Sequence, residues 1–182
     1  TSMTRVGDTR GWVRDVVRSG LLAPEEAYAE IRGVIAVDHP SLDADATARE
    51  WIDTARREWV AEATSWADPT DYERLQAAFA SLTQRDILVL QGCADHWAAK
   101  GALTDSPGLR GVAWFVPSDV WHAIDEAMLE VNVWHPDTAN AAPGDALLDE
   151  VLGVFADAGL AARFDEGRVE VTARWQRRPE GA

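Results

Sequence analysis

The sequence predicts an α+β fold, with a helical N-terminal half packed on a mixed sheet of about five strands that ends in a β-hairpin. Three observations carry this expectation. Before Ile87 the apolar residues recur at intervals of three and four, as one buried helix face requires. After it, short apolar runs and strict alternation take over, which is the period of strands. Gly111 to His135, GVAWFVPSDVWHAIDEAMLEVNVWH, combines the two periods as strand, short helix and strand, and the rest of the chain is built around it.

Asp8 to Arg18 places Trp12, Val13, Val16 and Val17 at helical spacing, and Ser19-Gly20 supplies a stop. Pro24 at a first helical position, with Glu25 and Glu26 in the first turn, opens a second helix carrying Ala27, Tyr28, Ile31, Val34 and Ile35, which ends before His39-Pro40. Asp43 or Asp45 caps a long third helix in which Trp51, Ala55, Trp59, Ala63 and Trp66 step down one side. In a chain with nine tryptophans such a stripe reads as core, because large rings gain most from burial. Asp68-Pro69-Thr70 breaks the run, and Thr70 or Asp71 starts a fourth helix with Tyr72, Leu75, Ala78, Phe79 and Leu82.

Ile87 to Leu90 is an unbroken apolar run, read as the first strand, and Ala94 to Ala102 is compatible with a helix before a loop at Thr104 to Gly108. In the next strand Val112, Trp114 and Val116 face one way and Ala113 and Phe115 the other, with almost nothing polar, as in a sheet interior covered on both faces. Pro117 ends that ladder. Ser118 or Asp119 caps a helix of about two turns bearing Val120, Ala123, Ile124 and Ala127. Met128, Leu129, Val131 and Val133 then alternate with Glu130 and Asn132, a strand with one wetter face, stopped by His135-Pro136-Asp137. Gly144-Asp145 opens an amphipathic helix closed by Gly159. Leu160 to Phe164 and Val169 to Trp175 form the hairpin, with Val169, Val171, Ala173 and Trp175 on one face. Residues 4–68 make a helical region and 69–178 a sheet region, expected to form one compact domain together, a size that 182 residues suits. Thr1-Ser2 ahead of Met3 reads as a cloning remnant.

Seventeen basic residues against 31 acidic ones give a formal charge of −14, which argues against nucleic acid and against an anionic membrane as partners. No apolar run approaches the roughly 20 residues of a membrane span, and no charged n-region followed by an apolar h-region appears at the start. The single cysteine, Cys93, excludes an internal disulfide framework and fits a reducing cytoplasm. Between Arg110 and Arg163 there is no Lys or Arg, while Asp119, Asp125, Glu126, Glu130, Asp137, Asp145, Asp149, Glu150 and Asp157 all fall there. The plain reading of such a run is a solvated face. The functional one is a negative field for a basic partner.

Glu62 to Ile87, EATSWADPTDYERLQAAFASLTQRDI, the Leu90-Gln91 that follows, GVAWFVPSD and the closing VEVTARWQRR together resemble an uncharacterised bacterial family of unknown function, over most of the chain. The resemblance implies a cysteine-rich run after the Leu-Gln strand and a His-x-Gln-Asp motif at the end of the central strand. Only Cys93 stands at the first; at the second Asp119 matches the acid, with Val116 and Ser118 in place of the histidine and glutamine. The family carries no activity over to this chain.

Cys93, Asp95 and His96 lie just beyond a strand, where α/β proteins place ligands and nucleophiles. A Cys-x-x-His pair completed by His122 or His135 would be a metal site, but the spacing matches no strong zinc signature, and no cofactor or metal is expected. Ser118 and Asp119 with His122 have the spacing of a helical hydrolase cluster, which helix capping explains without chemistry. The preferred reading is a non-enzymatic acidic binding protein, of the kind that immunity proteins exemplify, recognising a protein partner with a basic surface through Asp119, Asp125, Glu126, Asp149 and Glu150. The alternative is a small enzyme or metal-dependent ligand-binding protein centred on Cys93, His96, Asp119 and His122.

Overall fold

A computed structural model describes residues 5–181; Thr1 and Ser2, read above as a remnant, and the start of the helical region at residue 4 lie outside the described residues. The chain divides into two compact units after Asp68, and the segment from Gln176 onward belongs with the first of them.

The helical unit consists of α1 (Val6–Ser19), α2 (Pro24–Asp38) and α3 (Ala44–Ala63). Gly20, at φ 69°, ends α1 in the left-handed conformation that a side chain would strain. Of the two cap candidates for α3, Asp43 fills the position and accepts the Ala46 amide at 2.9 Å; Asp45, inside the first turn, instead pairs with Tyr28 and Arg32 of α2. The tryptophan stripe is core as far as the helix runs. Trp51 and Trp59 are buried beside Ala48 and Ala55, whereas Trp66 falls beyond Ala63 and is half-buried. Trp59 donates its indole N–H to the Arg177 carbonyl at 2.7 Å, which ties the returning tail to α3.

The sheet unit, Pro69–Trp175, begins with α4 (Asp71–Gln84), where Thr70 accepts the Glu73 amide and Glu73 reaches back to the Thr70 amide, a complete capping box. Then come β1 (Ile87–Gln91), α5 (His96–Asp105), β2 (Gly111–Phe115), α6 (Pro117–Glu126), β3 (Met128–Trp134), α7 (Ala146–Asp157), β4 (Ala161–Asp165) and β5 (Arg168–Thr172). Helix α5, capped by Asp95, continues through Thr104 to Asp105, into the start of the segment expected as loop. The strand order is β1-β2-β3-β5-β4. β1 and β2 are parallel, joined through α5; every other pairing is antiparallel. The sheet is mixed, has five strands and closes in a hairpin, as the periodicities predict. Glu166 and Gly167 make the two-residue turn with φ of 47° and 85°, the positive values that match strand twist.

The two faces of the sheet differ. On one, Phe115 meets Phe79 of α4 and Trp175, and Phe79 meets Phe155 of α7, so α4 and α7 cover the alternate residues Leu129, Val131, Val133, Val169 and Val171. On the other, α5 covers only the β1–β2 end, packing Ala99 and Leu103 against Val112 and Trp114. Every residue of β2 is buried in consequence. The remainder of that second face carries Glu130, Asn132, Arg168 and Glu170, the wetter side expected for β3.

Candidate functional site

Where α5 stops covering the sheet, a cleft of about 500 Å³ opens to solvent. It lies past the carboxyl ends of β1 and β2, at the first turns of α5 and α6, the place where open sheets with parallel strands hold ligands. Asp95 and His96 come from α5, Val116 to Asp119 from the β2–α6 junction, and Trp114, Asn132 and Arg168 from the sheet floor.

Asp119 is the organising group. The cap of α6 is Val116, with Pro117 at the first helical position, so Asp119 occupies the third position rather than the cap expected for it or for Ser118. Its Oδ2 accepts the Val116 amide at 3.0 Å; valine has no side-chain acceptor to reciprocate, so only half of a capping box exists. Its Oδ1 takes Arg168 Nη1 at 3.2 Å, and the other side of that guanidinium pairs with Glu130. Asp119 is 5% exposed, and a carboxylate so placed requires this partner. Asn132 donates to the Trp114 carbonyl at 3.3 Å. The Trp114 ring, 4.9 Å edge-on from Trp134, is 7% exposed, and its Nε1 has no hydrogen-bond partner among the described residues.

The four residues of the alternative site are only partly gathered. His96 and Asp119 line the same cleft. Cys93 lies beside it, its amide bonded to the Phe115 carbonyl at 3.0 Å and its thiol turned to the Asp95 carbonyl at 3.6 Å. Burial pushes that thiol up, and the Asp95 and Asp119 carboxylates add to the shift, the opposite of what activates a nucleophile. His122 is exposed on α6 and does not line the cleft. Among the described residues no group of three or more His, Cys, Asp or Glu is gathered to hold a metal ion.

The five acids expected at a partner surface separate into two groups. Asp125, Glu126 and Asp149 are exposed. Asp119 is paired with Arg168, and Glu150 is held by Arg110 at 2.5 Å and Arg85 at 3.4 Å, which keeps its carboxyl below the usual range. The stretch without a base is therefore not a surface without bases. Strand pairing carries Arg168 against Asp119 and Glu130, and Arg85 and Arg110 reach Glu150 from either side of α5 in the chain. Arg168, Asn132 and Trp114 are cleft residues that the sequence does not single out as site residues; the polar alternation of β3 and β5 is the signal for Asn132 and Arg168, and the all-apolar β2 offers none for Trp114.

Residues 4–179 match a protein family described as "Domain of unknown function (DUF6891)". The chain belongs to this family. No curated protein and no solved structure matches it. In this DUF6891 member the segment Val116 to Asp119, on which the resemblance to a His-x-Gln-Asp motif rested, forms one wall of the cleft, with Asp119 as its ionisable group. No helix among the described residues is long and apolar enough to cross a membrane.

Proposed function

We propose that this protein is a non-enzymatic acidic binding protein that recognises a protein partner with a basic surface, in the manner of an immunity protein. One observation carries the reading. The unit Pro69–Trp175 holds 17 of the 31 carboxylates but seven of the 17 basic side chains, and four of those seven, Arg85, Arg110, Arg163 and Arg168, already serve internal ion pairs. Asp125, Glu126 and Asp149 remain exposed and without an ion pair among the described residues, a field that steers a basic surface and raises its association rate. Asp119 supports the same reading, since both its oxygens are engaged in holding the structure, one by the Val116 amide and one by Arg168. A cytoplasmic location fits the lone thiol of Cys93.

The test is charge reversal of Asp125, Glu126 and Asp149 to lysine together. Affinity for the partner that the parent protein retains at low salt is expected to fall at least about tenfold, and the parent's own affinity to fall with rising salt. Unchanged affinity in the triple variant removes the reading.

The second reading, a small enzyme or metal-dependent ligand-binding protein, is favoured by one feature: His96 and Asp119 share a cleft with Trp114, whose buried indole N–H has no partner among the described residues. Elemental analysis of untagged protein decides between them, since a stoichiometric metal favours the second.

A further inference from the structure

The helical unit holds a recess of its own. It is a cavity of about 140 Å³, lined by Val16, Leu22, Ala27, Ile52, Trp59 and Arg56, with Arg177 and its guanidinium beside the Trp59 ring. Arg177 is positioned before any ligand arrives: its guanidinium lies over the Trp59 ring, 5.2 Å from the centroid, while its carbonyl accepts the Trp59 indole N–H. Gly20 leaves the room for it, because a Cβ there would come within 2.0 Å of Arg177 Nε. Among the described residues neither Arg56 nor Arg177 has a carboxylate partner, in a chain where carboxylates outnumber bases 31 to 17.

We propose that this cavity binds a small monocarboxylate with an apolar body about the size of one ring, independently of the partner-binding reading above. The size follows from the volume, since an apolar cavity of about 150 Å³ accepts benzene. The head group follows from the donors: a guanidinium fork matches the two oxygens of a carboxylate, and stacking on an indole fixes its plane while leaving its N–H edge to bind. Phosphate fits less well, because the aliphatic wall would leave some of its oxygens desolvated and unpaired. Glu180 also lines the cavity, and its charge opposes that of the ligand.

Calorimetric titration of the full chain with benzoate and with isovalerate tests this, with benzyl alcohol and inorganic phosphate as controls. The expected result is saturable benzoate binding that Arg56→Gln and Arg177→Gln each weaken at least about tenfold, that Glu180→Gln tightens, and that benzyl alcohol does not reproduce. Arg56 is exposed, so the Arg56→Gln titration remains decisive even if the Arg177 variant does not fold. No saturable binding of either carboxylate, binding unaltered in Arg56→Gln, or phosphate binding as tightly as benzoate would overturn the assignment.

Discussion

Glu130 and Glu170 stand directly opposite one another across the β3–β5 ladder, two like charges at the closest lateral spacing a sheet offers. The arrangement persists because each has its own arginine: Arg168 takes Glu130 together with Asp119, and Arg163 takes Glu170 at 2.9 Å. A cross-strand repulsion becomes a row of alternating charge on the open face of the sheet.

Arg168→Met is expected to destabilise the fold by about 2–3 kcal/mol, short of the loss for a fully buried pair because the Arg168 side chain is 38% exposed. The mechanism is the unpaired Asp119, with Glu130 and Glu170 left to repel. Thermal unfolding measures it, and adding Asp119→Asn to the same chain should recover part of the loss.

Glu150 sets an acid limit. Its carboxyl is lowered from the usual 4.5, first by the hydrogen bond from Arg110 and further by Arg85. A depressed carboxyl stabilises the native state above its unfolded value and loses that contribution as pH falls through the folded value. Unfolding temperature in the parent should therefore drop as pH falls below about 4.5. In Glu150→Gln the curve should start lower at neutral pH and meet the parent's at the acid end.

Cys93 should react slowly with a disulfide probe at neutral pH, and its rate should rise only above the ordinary thiol range of about 8.5, because burial holds the thiol protonated. Rapid labelling at pH 7 would contradict this geometry and strengthen the enzymatic reading.

Gly111→Ala tests the tight start of β2. A Cβ there would lie 2.7 Å from the Trp134 carbonyl and 3.1 Å from Leu147 Cδ2, so backbone of β3 and side chain of α7 would both have to move. A loss of about 1–3 kcal/mol is expected, measured by denaturant unfolding.

Periodicity made the elements legible. The Trp51-Ala55-Trp59 stripe, the all-apolar β2 and the face of Val169, Val171, Ala173 and Trp175 are read correctly because burial imposes a fixed spacing on each. What no spacing reveals is which strands become neighbours. Arg168 lies 49 residues beyond Asp119, and Glu150 lies 40 beyond Arg110. The acids of the base-free stretch therefore looked unopposed along the chain, while the sheet order supplied Asp119 and Glu150 with their arginines. The cap of α6 escaped for a different reason: Val116 offers no side-chain acceptor, and the acid that serves the helix start does so from three residues inside it.

Trp59 waits 118 residues for the carbonyl that satisfies its indole. In the order of the chain the sheet unit is thus inserted within the helical one, and its own ends are clasped, with Asp71 accepting the Arg174 amide at 3.0 Å and Tyr72 meeting Trp175 at 4.9 Å. Arg177 follows the last residue of the sheet unit by only two positions, so the helical unit gains its closing segment only after the whole sheet unit has been made. The helices made first therefore hold an unpaired Trp59 indole until nearly the last of the described chain exists.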